Sequence, residues 1–183
     1  MSLAVPDLFL CDEPALRELL RRALRTMPDL QGKPIRISTA SGLRDHRGPV
    51  HAGAFLRERK IVFDCARQEF PRILVHEMFH FVWLRLGNPG RRSFEDVLRG
   101  ECVQRARGEL GWSSEWRKLK LGSRDWEART RRWREYCCES FCDSAAWLYS
   151  GVTRHSEYTL AAARRERRRA WFDEKLGGGC LPI

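Results

Sequence analysis

The feature that most constrains this fold is a segment, Arg72 to Trp83, that is almost wholly apolar around three polar side chains. Those side chains are His76, Glu77 and His80. A helix of this composition is expected to be buried, and buried imidazoles and carboxylates cost free energy unless a partner satisfies them. The two histidines are four residues apart, so they project from the same face of a helix, one turn above the other. One cation placed between them would satisfy both.

The spacing H-E-x-x-H is typical of zinc-dependent peptidases. Imidazole nitrogens bind zinc at about 2 Å, so His76 and His80 can reach the same ion. Glu77 then lies beside the ion, where it can accept a proton from the water that the ion activates. We therefore predict one catalytic Zn²⁺ held by His76 and His80, with Glu77 as the general base of peptide hydrolysis.

A catalytic zinc site needs a third protein ligand. The only histidine after the motif is His155, which is far along the chain, so we expect a carboxylate from a second helix. Glu139 is favoured because Asp143 lies one turn later on the same face, where it can accept the remaining N–H of a ligating histidine. Glu135, one turn earlier, is the reserve. The other candidates are Glu95, Glu101, Glu109, Glu115 and Glu127.

Two quoted motifs, "LVHEMFH" and "ESFCD", resemble the paired helices of the gluzincins, the thermolysin-like zinc metallopeptidases. The chain is similar in size to the minimal single-domain members of that family. The resemblance implies a zincin-like fold, endopeptidase activity, zinc at His76, His80 and Glu139, and Asp143 as the hydrogen-bonded support of a ligand. The chain departs from the pattern at Cys138, where an asparagine often stands, and in the gap before Glu139, which is longer than in thermolysin.

"AGAFLRERKIVFD" is similar to the family's substrate-binding edge strand, tight turn and second strand. The resemblance implies that an extended peptide or protein substrate pairs with the first of these strands by β-augmentation. The residues concerned are Ala52, Gly53, Ala54, Phe55 and Leu56.

The developing oxyanion of the reaction needs a further donor. The stretch "RHSEY" offers His155 and Tyr158, just beyond the second helix motif. The alternative is that both are surface residues at the start of a helix. His46 and His51 are weaker candidates, although His51 borders the predicted edge strand.

The 183 residues are expected to form a single domain, 1–183, with strands early and helices late. This order predicts an α+β fold in which a small mixed β-sheet packs on several helices. The predicted strands are Pro34–Thr39, His51–Arg57 and Lys60–Asp64. The predicted helices are one that Asp12 caps, Glu69–Leu86 ending at Gly87, Phe94–Arg107 capped by Ser93, a stretch from Ser123 to Tyr149, and one from Ser156 to Leu176.

Charge and cysteine content set the wider expectations. The net charge is +10, which favours an acidic partner or nucleic acid, and five arginines between Arg164 and Arg169 concentrate it in the last predicted helix. Seven cysteines without an evident export signal do not predict a disulfide framework, and no apolar run reaches membrane-spanning length. We therefore expect a cytoplasmic protein that is not inserted in a membrane.

Two alternatives to a peptidase remain. The first is a catalytically weak zincin-fold protein that acts as a DNA- or protein-binding regulatory module, which the basic charge favours and Glu77 does not. The second is a purely structural zinc site, which would prefer four protein ligands and could recruit Cys138 or Cys142, but which leaves Glu77 without a role.

Overall fold

A mixed sheet forms in the early part of the chain, in a computed structural model that describes residues 8–45 and 48–183. The strands of the described residues are Phe9–Leu10 (β1), Leu30–Gln31 (β2), Ile35–Thr39 (β3), Arg44–Asp45 (β4), Gly48–Pro49 (β5), Ala52–Phe55 (β6), Lys60–Phe63 (β7) and Leu181–Pro182 (β8). Four of them form the mixed sheet in the order β1-β3-β7-β6; β1, β3 and β7 run parallel, and β6 runs antiparallel to β7.

Side-chain alternation explains the central strand. In β3, Ile35 and Ile37 are buried while Arg36 is exposed, the pattern of a strand with one face on the core. The hairpin predicted from sequence is confirmed, with Ala52 opposite Phe63 and Phe55 opposite Lys60. The prediction of mixed helices and small sheets is thus correct, although β1, β2 and β8 had no signal strong enough to predict them.

The described residues also form seven α-helices, and two of them, the second and the sixth, pack along each other. Beside the polar motif their contact is apolar, with the rings of Phe79 and Phe141 5.7 Å apart. Phe172 of the last helix stacks on Phe141 at 5.0 Å. The helices are Pro14–Ala23 (α1), Phe70–Arg85 (α2), Gly87–Val103 (α3), Trp112–Lys118 (α4), Ser123–Glu127 (α5), Arg131–Tyr149 (α6) and Ala162–Leu176 (α7).

The prediction that helix Phe94–Arg107 begins at a Ser93 cap is wrong. Gly87 ends α2 with a φ of +72°, as predicted, but α3 begins at once and runs through Pro89. Proline in the first turn of a helix removes an N–H that has no helical acceptor, so it does not stop α3 there. The Ser93 hydroxyl instead accepts a hydrogen bond from the indole of Trp171 at 2.9 Å.

Three further helix boundaries differ from the prediction. The stretch from Ser123 to Tyr149 is two helices, because Arg129 takes a φ of +47° and Thr130 caps α6 by accepting a hydrogen bond from the Trp133 N–H. Helix α7 begins at Ala162 rather than beside Ser156. Helix α1 has Glu13 rather than Asp12 at its N-cap position, and the Glu13 carboxylate accepts hydrogen bonds from Thr39.

Helix α7 buries one of its arginines. Arg168 is completely buried and donates to both Glu101 and Glu109, at 2.7 and 2.8 Å. Burial opposes ionisation of Glu109, but Arg168 and Lys118 outweigh it and hold its pKa at about 2, below the ordinary value of 4.5. The ionised Glu109 therefore adds stability above about pH 4.5 that is lost as the pH falls towards 2. The basic helix is partly a core element, which its charge pattern did not predict.

Replacing Arg168 with methionine should lower the free energy of unfolding by about 3–5 kcal/mol, because buried Glu101 loses its counterion and Glu109 keeps only Lys118. Urea denaturation at pH 7 measures the change. Arg167→Met on the exposed side of the same helix is the matched control and should change it by less than about 0.5 kcal/mol. Equal losses in the two variants would contradict the role given to the buried ion pairs.

Within residues 8–45 and 48–183, no helix is both long enough and apolar enough to cross a lipid bilayer.

Candidate metal centre

Helices α2 and α6 bring the predicted ligands together. Helix α2 carries His76 and His80, and α6 carries Glu139, which lies opposite them. One donor atom from each of the three residues lies within 4.8 Å of the other two, and His76 Nε2 is 3.5 Å from Glu139 Oε2. Two donors bound to the same tetrahedral ion at about 2.1 Å would be roughly 3.4 Å apart, so the donor set fits a zinc ion.

The His76 ring is oriented from behind by a carboxylate. Its Nδ1 lies 2.7 Å from Asp143 Oδ1, which leaves Nε2 facing the ligand cluster. Burial alone would lower the pKa of His76, but the Asp143 carboxylate outweighs it and raises that pKa well above the ordinary value. A cation that binds at Nε2 must displace a proton, so its affinity should increase with pH. The predicted support of a ligating histidine by Asp143 is present in the geometry.

The His80 ring is oriented by a thiol rather than a carboxylate. Its Nδ1 lies 3.4 Å from Cys138 Sγ, which leaves Nε2 as the nitrogen that can serve a site with His76 and Glu139. Burial lowers the pKa of His80, yet the neighbouring Cys138 raises it to about 9. A hydrogen bond with the Cys142 thiol is the largest influence on Cys138 and lowers its pKa to about 6. From the sequence, Cys138 was a departure from the family pattern and a candidate ligand of a structural zinc site, but its contact with His80 was not predicted.

The third predicted ligand, Glu139, is held by two side chains of α4. Arg117 Nη2 is 3.2 Å from Glu139 Oε1, and the Ser113 hydroxyl donates to Oε2. Burial raises the pKa of Glu139, but the hydrogen bond with His76 and the nearby positive charges hold it well below its ordinary value. Glu139 is therefore an ionised carboxylate with one oxygen directed at the histidines.

Helix α4 reaches this position because Gly111 precedes it. The Ser114 N–H donates to Asp143 Oδ2 at 3.2 Å, so the start of α4 lies directly on the carboxylate that orients His76. A Cβ at Gly111 would lie 2.2 Å from the Asp143 carboxyl carbon, and only glycine allows this approach. The start of α4 is also tied to α2, since Glu157 accepts from the Trp112 N–H and pairs with Arg72. The sequence offered only Glu115 of α4 as a candidate ligand, and that carboxylate instead accepts from Thr159 at 3.1 Å. The roles of Gly111, Ser113 and Arg117 had no signal in the sequence.

The three predicted ligands line a cleft of about 920 Å³. Glu77, largely buried, lines the cleft together with the three ligands, and α4 contributes Ser113, Trp116 and Arg117 to its wall. The segment from Asp45 to Ala52 borders the same cleft, apart from the residues that are not described.

Strand β6 is the edge of the four-stranded sheet, as predicted, but only part of the predicted peptide-binding stretch meets the cleft. Ala52 lines it, whereas Gly53, Ala54 and Phe55 continue along the edge. Leu56 lies beyond the strand, in the turn, and packs partly buried against the core. The weaker candidate His51 also lines the cleft, and His46 lies outside the described residues.

The residues predicted to stabilise an oxyanion lie elsewhere. His155 Nε2 is 3.3 Å from Glu69, and the Tyr158 side chain is buried beside it, their rings 5.5 Å apart. Neither is among the described residues that line the cleft. The reserve ligand, Glu135, pairs with the exposed Arg131 on the outside of α6.

Comparisons with known proteins give no relative: no family model, no curated protein and no solved structure matches this chain. The gluzincin resemblance therefore remains a prediction that depends on the quoted motifs and on the geometry of their side chains.

Gly111→Ala should weaken zinc binding by about 10- to 100-fold, because the added methyl group would displace the carboxylate that orients His76. Competition with a chromogenic chelator measures the affinity. The matched control is Gly122→Ala, at the N-cap of α5, where an added Cβ meets nothing within 4 Å. If both variants bind zinc as the wild type does, the tight contact with Asp143 is not needed for the site.

Proposed function

We propose that this protein is a zinc-dependent endopeptidase with a zincin-like fold. The observation that carries the proposal is the convergence of His76, His80 and Glu139 donor atoms within 4.8 Å, in a cleft that also contains Glu77. Zinc, when bound, supplies a Lewis acid that activates water and polarises a carbonyl group. The protein's own side chains carry out the remaining steps.

Glu77 moves the proton in the proposed mechanism. Its carboxylate accepts a proton from the attacking water and then transfers it to the amine that leaves the cleaved peptide. A site that only binds zinc has no need of this residue, because the metal already has its ligands in His76, His80 and Glu139. The position of Glu77 on the cleft wall therefore supports an enzyme rather than a structural zinc protein.

The substrate in this proposal is an extended peptide that pairs with the edge of β6. The unpaired backbone groups of an edge strand can bind a further strand with little regard to side chains. Ala52 lies where this edge meets the cleft, so a paired peptide would lead towards the metal ligands. The cleavage specificity would then depend on the cleft wall formed by α4.

Arg117 is our proposed donor to the developing oxyanion. It lines the cleft and pairs with one carboxylate, Glu139, at 3.2 Å through Nη2, while Nη1 donates to the carbonyl and hydroxyl oxygens of Ser113 at 2.7 Å. Arg72 lines the cleft as well, but its guanidinium pairs with both Glu69 and Glu157. A guanidinium in a partly buried cleft can stabilise negative charge that grows during the reaction.

Glu77→Gln should lower the cleavage rate of casein or a quenched fluorescent peptide library by about 10²- to 10⁴-fold, because the proton acceptor is lost. Zinc content, measured by elemental analysis, should stay at the wild-type level. Glu135→Gln, which alters an exposed carboxylate of α6, is the control and should leave both unchanged. A zinc-loaded wild type that cleaves no member of the library would overturn the peptidase proposal.

Arg117→Met should lower kcat by about 10²-fold or more while KM changes little, since the donor acts mainly on the transition state. Steady-state kinetics on one peptide substrate measure both constants, and zinc content is measured alongside. Lys120→Met, which removes a cation placed over Trp116 on the same segment, is the control. If the variant loses zinc in proportion to its activity, Arg117 instead positions Glu139.

The alternative, a DNA- or protein-binding regulatory module, is supported by the net charge of +10. Several arginines of α7 have contacts within the protein, however: Arg168 is buried, Arg165 donates to the carbonyls of Tyr158 and Leu160, and Arg169 pairs with Glu166. These contacts favour the peptidase proposal over a dedicated nucleic-acid surface on this helix.

A further inference from the structure

A second group of metal-binding side chains adjoins the first and shares His80 with it. It consists of His80, Cys138 and Cys142, with one donor atom from each within 4.8 Å of the other two. Cys142 is completely buried, and Cys138 and His80 are mostly buried, so the group lies on the inner side of the His80 ring. None of the proposed catalytic steps uses either thiol.

The geometry of this group suits a cation. His80 Nδ1 lies 3.4 Å from Cys138 Sγ. A nitrogen and a sulfur bound to one tetrahedral ion, at about 2.1 and 2.3 Å, would be roughly 3.6 Å apart. Cys138 and Cys142 are one turn apart on α6 and direct their sulfurs to the same side, where the ring is. Small rotations of side chains would therefore be enough to bring the three donors around one ion.

The chemistry of the donors differs between the two groups. His76, His80 and Glu139 offer two nitrogens and an oxygen, a set that zinc accepts with a position open for water. His80, Cys138 and Cys142 offer one nitrogen and two sulfurs, and thiolates select soft cations such as monovalent copper, cadmium or zinc. We propose that the second group is an additional binding site for a soft, thiol-seeking cation, which shares His80 with the first.

The two sites compete because they share one imidazole. A neutral imidazole has one nitrogen with a free lone pair and one that carries a proton. When a cation binds at His80 Nδ1, the ring proton must be at Nε2, and Nε2 no longer serves the site formed with His76 and Glu139. Filling the thiolate site therefore withdraws a ligand from the first site. This competition rests on the proposed function, whereas the thiolate site itself does not.

The test is a titration of reduced, metal-free protein with Cd²⁺, followed by the cadmium–thiolate charge-transfer absorption. The wild type should show a band that saturates at one equivalent. Cys142→Ala should abolish it while leaving the contact between Cys138 and His80 in place, and Cys138→Ala should abolish it too. Cys180→Ala, a half-buried cysteine outside the cluster, is the control and should keep the band. A band that survives in Cys142→Ala, or none in the wild type, would overturn the site.

Competition is tested on protein loaded with one zinc. Cd²⁺ should release that zinc to a chromogenic chelator at a concentration at least about tenfold lower in the wild type than in Cys142→Ala, because only the wild type can lose His80 to the thiolates. Zinc that stays bound while the thiolate band saturates would overturn the sharing of His80. His76→Ala separates this inference from the proposed function: it should lose zinc at the first site and retain the cadmium–thiolate band.

Discussion

The fixed orientation of two histidines between α2 and α6 is the constraint on which the rest of the site depends. Each ring has one nitrogen engaged by α6, His76 by Asp143 at 2.7 Å and His80 by Cys138 at 3.4 Å. The other nitrogen of each ring is thereby left for a cation, and that of His76 lies 3.5 Å from Glu139. A ligand set of this kind cannot be built on one helix, because a single helical face supplies only the two histidines. The packing of α2 on α6 therefore creates the candidate metal centre.

Several buried carboxylates in this chain are paired with arginine. Glu139 lies beside Arg117, and Glu101 and Glu109 share the fully buried Arg168. Charges taken out of water are tolerated only when partners and hydrogen bonds replace the lost hydration. Part of the positive charge that suggested an acidic partner thus serves the interior. A net charge describes the chain as a whole and does not say which cations reach solvent.

The thiols of α6 give the candidate centre a chemistry that its carboxylate and imidazole ligands do not. At the position of Cys138 the side chain must contact His80 Nδ1, which an uncharged hydrogen-bonding group could also do. A sulfur there, with Cys142 one turn away, adds affinity for soft cations. A histidine shared between two unlike donor sets would make the occupancy of one site depend on the metals available to the other.

The sequence by itself determined the local pattern: the apolar helix that carries His76, Glu77 and His80, the hairpin at β6 and β7, and the spacing of Glu139 and Asp143 along α6. These features depend on periodicity, which residues near in sequence fix. The tertiary structure decided that α4 meets Asp143 through Gly111, that Arg117 pairs with Glu139, that Arg168 is buried, and that His155 and Tyr158 lie away from the cleft. Those contacts join residues distant along the chain, and no local propensity encodes which distant surface a helix will pack against.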